Sequence, residues 1–415
     1  MNTLASSISP DAAAPDADSD WPSPAEFSLL PPSAAPPTIF QSRPYLMAYR
    51  RHFGAGKKFH KLRAAPGTKS VFSGNGDPRA HLSLSPHLRA AHFSTTFFDN
   101  ERSDSDISSV CDTAFLMTRG RTLKRLEWWG AGIHDVGGAH MSTHAGAQSL
   151  WQQIEALAAC HDGACLAQID ARSPLLTLAA RSNWNITPAE TCPVLSFPDS
   201  FSSYVASLGK NMREQIKRYP KRLEKNFAVS YEMAQSAEEV QSALDDLFTL
   251  HGKRWRARGQ TGVLVLPRRQ KFHRALCEDL RARDALRLWT LRCDHRAACV
   301  LLCYFHANRY FFFIGGFEPE LMRWSVGTCL FARVFQHAIE EGASEFDFLR
   351  GAEEYKYRLG AIDRDYKTIS TFAPSARGRL LQKRLRLEDA LKQRMYGAFS
   401  SGHAARETPA TPNES

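Results

Sequence analysis

Between residues 286 and 317 the polar and apolar positions follow a period of two. The runs "ALRLWTLRCD", "AACVLLCYFHA" and "RYFFFIGGF" predict three successive antiparallel strands, with "DHRA" and "HANR" as the turns between them. Upstream the period is 3.6. "SAEEVQSALDDLFTLHGKRWRARG" predicts a helix opened by Ser236 with acids in its first turn, and "RRQKFHRALCEDLRARD" predicts a second. Before these, "SFSSYVASLGKNMREQIKRYPKRLEKNF" reads as a short helix, a break at Gly209 and Asn211, and a basic helix. Downstream of the strands, small residues Ser325 to Thr328 open a helix whose apolar positions 330, 331, 334, 335, 338 and 339 form one broad face. That helix stops at Gly342, and a strand follows with Asp347 between Phe346 and Phe348.

The first half is less sharply punctuated. "SRPYLMAYRRHFG" predicts a short helix, "AFLMTRGRTLKRLEWWGAGIHDVGG" a strand, a turn and a second strand, "SLWQQIEALAAC" a helix and "ACLAQIDA" a strand. Residues 1–40 hold eight prolines and no lysine or arginine, so a disordered leader is expected there. The polar, turn-rich stretch 67–109 predicts an irregular insertion. These patterns predict an α+β chain: a leader over 1–40, a first domain over 41–195, a second over 196–375, and a C-terminal helix and tail over 376–415.

Composition narrows the picture. A chain of 415 residues with 43% hydrophobic and 23% charged positions can bury the cores of two or three domains. A formal charge of +10 calls for an anionic partner without choosing one. The basic run 210–225 has Lys210, Arg213, Lys217, Arg218, Lys221, Arg222 and Lys225 against two acids, which suits an acidic membrane surface, a synthase complex or a phosphorylated cofactor. No zinc-finger, RNA-recognition or helix-turn-helix signature accompanies it, and nucleic acid is not the expected partner. The nine cysteines include no CxxC pair and several lie in apolar runs, which predicts free thiols in a reducing, cytoplasmic setting, or one peripheral to the inner membrane. No metal site is expected, since the histidines lack ligand spacing.

Over about 204–372 the chain resembles the CelD/BcsL-type acetyltransferases, a branch of the GNAT superfamily associated with bacterial cellulose biosynthesis and related to the FemABX peptidyltransferases. The likeness rests on "RWRARG", on "FHRALCEDLRARDALRLWTLRCDHRAACVLLCY" and on "GGFEPELMRWSVGTCLFARVFQHAIEEGASEFDFLRGAEEYKYRLG". It is fainter over 41–190, at "LEWWGAGIHDVGG" and "ARSPLL". The resemblance implies tandem GNAT-like domains, each a mixed, mostly antiparallel sheet flanked by helices. It also implies transfer of an acetyl or longer acyl group from acyl-CoA to a hydroxyl or amine acceptor, a small molecule or a polysaccharide. A FemABX-like aminoacyl transferase and a non-catalytic binding module are the alternatives. Val326 stands where the family's turn has proline.

Acyl transfer needs a positioned nucleophile relieved of its proton, a stabilised oxyanion and a protonated leaving group. Asp347, Glu353, Glu354 and Tyr355 are the catalytic candidates, Asp347 being either a base in the cleft or a structural carboxylate holding Arg350 or Lys356. Ser325, Val326, Gly327, Thr328 and Cys329 are expected to meet the cofactor's phosphates through backbone donors, or else to form an ordinary helix cap. Lys356 is a further phosphate candidate. Arg350 and the helical pair His251 and Trp255 are candidates for the acceptor, the pair being otherwise plain packing.

Overall fold

The computed structural model describes residues 38–64, 112–141, 143–257 and 259–404. The first half runs α1 (Arg43–Phe53), β1 (Lys58–Arg63), β2 (Thr113–Arg119), β3 (Arg125–Trp128), β4 (Ala139–His140), α2 (His144–Ala159), β5 (Gly163–Asp170), α3 (Pro174–Arg181) and β6 (Asn185–Pro188). It continues as β7 (Cys192–Ser196), α4 (Phe201–Ser207), α5 (Lys210–Glu224), β8 (Val229–Met233), α6 (Ala237–Arg256) and α7 (Pro267–Arg281). The remainder is β9 (Leu286–Cys293), β10 (Arg296–His306), β11 (Arg309–Phe317), α8 (Val326–Glu340), β12 (Glu345–Asp347), α9 (Glu354–Arg358), β13 (Ile362–Arg364), β14 (Tyr366–Phe372) and α10 (Ala376–Ala404).

Two seven-stranded mixed sheets result, flanked by helices. One has the order β1-β2-β3-β5-β14-β6 with β4 on β2; the other is β13-β7-β12-β11-β10-β9-β8. The chain crosses between them twice. β7 leaves the first half to pair with β12 and β13, while β14 returns from the end of the chain to lie between β5 and β6. A cut at 195 therefore falls inside a strand of the second sheet, and 366–372, grouped by sequence with the second domain, complete the first.

The three predicted strands are β9, β10 and β11. Their connections put Asp294 and His295 at φ 49° and 64°, and Ala307 and Asn308 at 51° and 54°, which is the twist-matched hairpin turn. Residues of β10 alternate in burial partners: Cys299, Leu301 and Cys303 pack with α8, while Val300, Leu302 and Tyr304 pack with α6 and α7. α6 opens with the predicted capping box, Ser236 and Glu239 bonding reciprocally. The β10–β11 ladder slips at one point. Leu302 pairs with Ile314 and Cys303 with Phe312, so Phe313 is an extra residue bulging from β11.

Residues 39 and 40, counted in the leader by composition, are structured. Ile39 and Phe40 form a single 3₁₀ turn and are 1% and 0% exposed, because Phe40 packs edge-on against Tyr45 and Phe311. The rest of the expected leader, the whole 67–109 insertion and the tail beyond 404 lie outside the described residues.

Candidate active site at the parted strands

β11 and β12 run parallel for three pairs only, Arg309–Glu345, Tyr310–Phe346 and Phe311–Asp347. β12 then turns away, the Phe348 N–H donating to the Pro193 carbonyl at 2.9 Å, while β11 continues to Phe317. The strands part beside the bulge. A 3₁₀ turn, Pro319–Trp324, carries the chain from β11 into α8.

Ser325 sits at that junction with φ 55° and makes no side-chain capping bond, contrary to the ordinary-cap reading. The first N–H groups of α8, from Val326, Gly327 and Thr328, have no acceptor within a regular helix, so they and the helix dipole favour an anion. A Cβ placed on Gly327 would meet nothing within 4 Å, so the helix start is open. Cys329 and Val326 are 1% exposed and point into the core, leaving Gly327 and Thr328 on the accessible side.

Asp347 faces away from Phe346 and Phe348, as strand alternation requires, and is wholly buried. Its Oδ1 accepts the Leu349 N–H at 2.8 Å and so holds Leu349 at φ 55°. Its Oδ2 stands 3.5 Å from Arg309 and 3.8 Å from Arg364, near enough to attract but without a hydrogen bond. Both guanidiniums are taken by Glu345, which receives Arg364 at 2.9 and 2.6 Å and also pairs with Arg309. Burial pushes the Asp347 carboxyl up to about 6, with Arg309 pulling the other way.

The crowd of groups after Asp347 is organised by Lys356. Its ammonium is buried and donates to the carbonyls of Phe348, Arg350 and Gly351 at 3.1, 3.0 and 2.9 Å, with that of Leu349 at 3.4 Å. Glu353 pairs with it at 2.9 Å. Lys356 is thus turned inward, and the expectation that it meets a phosphate is corrected: its donors are consumed by the loop. Gly351, at φ +107°, brings its backbone close to the Glu353 carboxylate, which a Cβ would strike at 2.6 Å. Neither Arg350 nor Lys356 holds Asp347. Arg350 reaches the other half of the chain, pairing with Asp135 at 2.7 Å, so it joins the two halves and is not an open acceptor contact.

Glu353 and Glu354 are solvent-exposed. Tyr355 is half-buried, its ring 5.8 Å from Phe331 and 6.3 Å from Phe348. Burial raises its phenol, and the Arg254 guanidinium, itself 4.9 Å over the Phe317 ring, acts against that rise. Arg254 therefore stands at the open end of β11, and Tyr355 lies between α8 and the strand end at Phe348.

His251 and Trp255 do share a helical face, but for each other. The Trp255 indole N–H donates to His251 Nε2 at 2.8 Å, which leaves the proton of a neutral His251 on Nδ1. Burial, chiefly, pushes His251 down to about 4. Gly262 packs so closely on the pair that a Cβ would stand 2.5 Å from His251 Cε1. This is packing, not a free acceptor face. Asp135, Glu345, Arg309 and Arg364 were not singled out from the sequence, because each matters only through partners distant along the chain. Among the described residues, no group of three or more His, Cys, Asp or Glu gathers as a metal site, and no helix is long and apolar enough to cross a membrane.

Residues 210–357 match the family model described as Acetyltransferase (GNAT) domain, a span that runs from the start of α5 into α9 and contains the parted strands. FemX is similar in structure at 8% identity with a TM-score of 0.57, over 85% of this chain and 96% of that one. The C-terminal domain of a putative lysylphosphatidylglycerol synthetase from Agrobacterium fabrum is 14% identical, with a TM-score of 0.47 over 68% of this chain and 85% of that chain. L-PGS from Bacillus licheniformis is 10% identical, with a TM-score of 0.45 over 63% and 82%. No curated protein matches the sequence. The fold is thus that of tandem GNAT-like units, the second carrying the family match.

Proposed function

We propose that the protein is an acyltransferase that takes an acyl group from acyl-CoA and passes it to a hydroxyl or amine acceptor. The observation that carries this reading is the parting of β11 from β12 directly beside the uncapped start of α8, inside the GNAT-matched span. An open helix start suits a pyrophosphate, and the unpaired edge of β11 offers backbone groups to an extended chain lying along it. The bulge at Phe313 marks where the thioester would face the acceptor. In this reading Tyr355 returns a proton to the departing thiolate, a role supported by its position against Phe331 of α8, and Asp347 holds the Leu349 turn. A role in exopolysaccharide or cellulose biosynthesis follows from the sequence resemblance alone, and an acidic membrane or synthase partner from the exposed basic side of α5.

Gly327→Glu tests the cofactor site. The new side chain enters open space, and a carboxylate in the first helical turn favours the helix, so Tm should hold or rise. The same charge opposes a phosphate, and calorimetric affinity for CoA should fall by roughly tenfold or more. Unchanged CoA affinity in the folded variant would sink the assignment. Wild-type protein that ignores CoA but binds aminoacyl-tRNA would favour the FemABX-like donor instead.

A further inference from the structure

The corner between α6 and α7 takes no part in cofactor binding or proton transfer at the parted strands, yet its charge is all of one sign. Residues 247–277 hold eight lysines and arginines and no aspartate or glutamate. In the middle of this stretch Val263–Val265 form a 3₁₀ turn, and Val263, Val265 and Leu266 are 46%, 42% and 53% exposed although all three are aliphatic. The turn is held from beneath. Leu264 is buried, its carbonyl accepts the Gln270 side chain at 2.8 Å, and Gly262 abuts His251. Three aliphatic side chains are thus displayed by a fixed turn. Arg256 lies beside them, since a Cβ placed on Gly252 would have Val265 Cγ1 at 3.8 Å and Arg256 Nη2 at 4.0 Å. Arg256 and Lys271 are exposed, and neither pairs with a carboxylate among the described residues.

We propose that this corner docks on an anionic phospholipid bilayer, with Val263, Val265 and Leu266 entering the boundary between headgroups and acyl chains while Arg256 and Lys271 meet lipid phosphates. Aliphatic side chains leave water when they enter that boundary, and each cation beside them adds attraction to an anionic leaflet. A second copy of the chain is a poor occupant, because two such corners would bring like-charged rims together. Nucleic acid would engage the bases but would leave the aliphatic tip in water. α5 lacks the inserting part: its run sets seven bases against two acids and displays no large exposed aliphatic. The corner adjoins the open end of β11, since a Cβ on Gly316 would stand 2.7 Å from the His251 N and His251 in turn abuts Gly262. On the acyltransferase reading, docking brings an acceptor carried by the bilayer to the parted strands; docking itself does not depend on that reading.

Flotation of the full chain with phosphatidylcholine vesicles, with and without a one-third share of phosphatidylglycerol, tests the docking and needs no turnover. Wild-type protein should float with the anionic vesicles and stay behind with the neutral ones, and its partition should weaken as salt rises from ~0.1 to ~0.5 M. Val263→Ser with Leu266→Ser should lower the partition roughly tenfold or more, with Tm unchanged because both side chains are exposed. Arg256→Gln with Lys271→Gln should lower it roughly tenfold as well and flatten the salt dependence, which keeps the test open should the serine variant misfold. Lys217→Gln with Lys221→Gln on α5 should stay within roughly twofold of wild type. The assignment falls if wild-type protein ignores the anionic vesicles, if the folded serine variant floats as well as wild type, or if the α5 variant alone abolishes flotation. A wild-type dimer in light scattering that Leu266→Ser returns to monomer would give the corner to a second copy instead. A gel shift with bulk tRNA that the serine variant retains, without flotation, would give its bases to nucleic acid.

Discussion

Asp347 shows how two roles for one side chain can be separated by its two oxygens. Oδ1 holds the Leu349 turn, and Oδ2 lies near two guanidiniums that Glu345 already occupies. Because its folded value is raised from 3.8 to about 6, the protonated form is favoured by folding. The sign follows: this contribution, about 3 kcal/mol, is complete below about 3.8 and is lost as pH rises through about 6. Asp347→Asn mimics the protonated acid and keeps an acceptor for Leu349. Its stability should match wild type within about 1 kcal/mol near pH 4 and exceed it by about 2–3 kcal/mol at pH 7, and denaturation midpoints measured from pH 4 to 7 should lose that slope. Asp347→Ala, which frees the buried Leu349 N–H, should cost about 2–4 kcal/mol. Acyl transfer by the Asn variant should persist; a fall in kcat of roughly 10² or more in the stable protein would make Asp347 the proton acceptor.

At the scale of elements, the loop 348–353 is built around a cation. Carbonyls that would otherwise point at one another converge on Lys356, and the left-handed Leu349 together with Gly351 at φ +107° gives the curl that aims them. Lys356→Met keeps the length and apolar stem but leaves buried carbonyls without donors, so chemical denaturation should show a loss of about 2–4 kcal/mol. Arginine is too broad and planar for this cage and should not rescue it. An unchanged midpoint in Lys356→Met would mean that water replaces the ammonium without cost. The elements themselves were legible. Period-two runs gave β9 to β11, the Ser236 capping signal gave α6, and the small residues at 325–328 marked the start of α8. Partners were not legible, since a lysine near a candidate phosphate site and a lysine folded back on its own loop look alike in one dimension. The bulge at Phe313 escaped for a related reason: "RYFFFIGGF" carries no local mark of which aromatic falls out of register.

At the scale of the molecule, the exchange of β7 and β14 decides what the two halves are. A sequence reading divides the chain where composition changes, but sheet membership is set by backbone pairing across more than a hundred residues and leaves no local trace. Each half lends a strand to the other, with Arg350 and Asp135 pairing across the junction and Tyr45 packing edge-on against Phe272 there. The halves should therefore unfold together. Calorimetry of the full chain should give one transition whose van't Hoff and calorimetric enthalpies agree. A fragment beginning at 197 lacks β7, so β12 and β13 lose their shared neighbour and expose unpaired edges; it should be recovered aggregated, whereas a fragment beginning at 190 keeps that strand and should be the more soluble of the two. Equal solubility of the two fragments, or two well-separated transitions in the full chain, would show that the exchanged strands do not couple the halves.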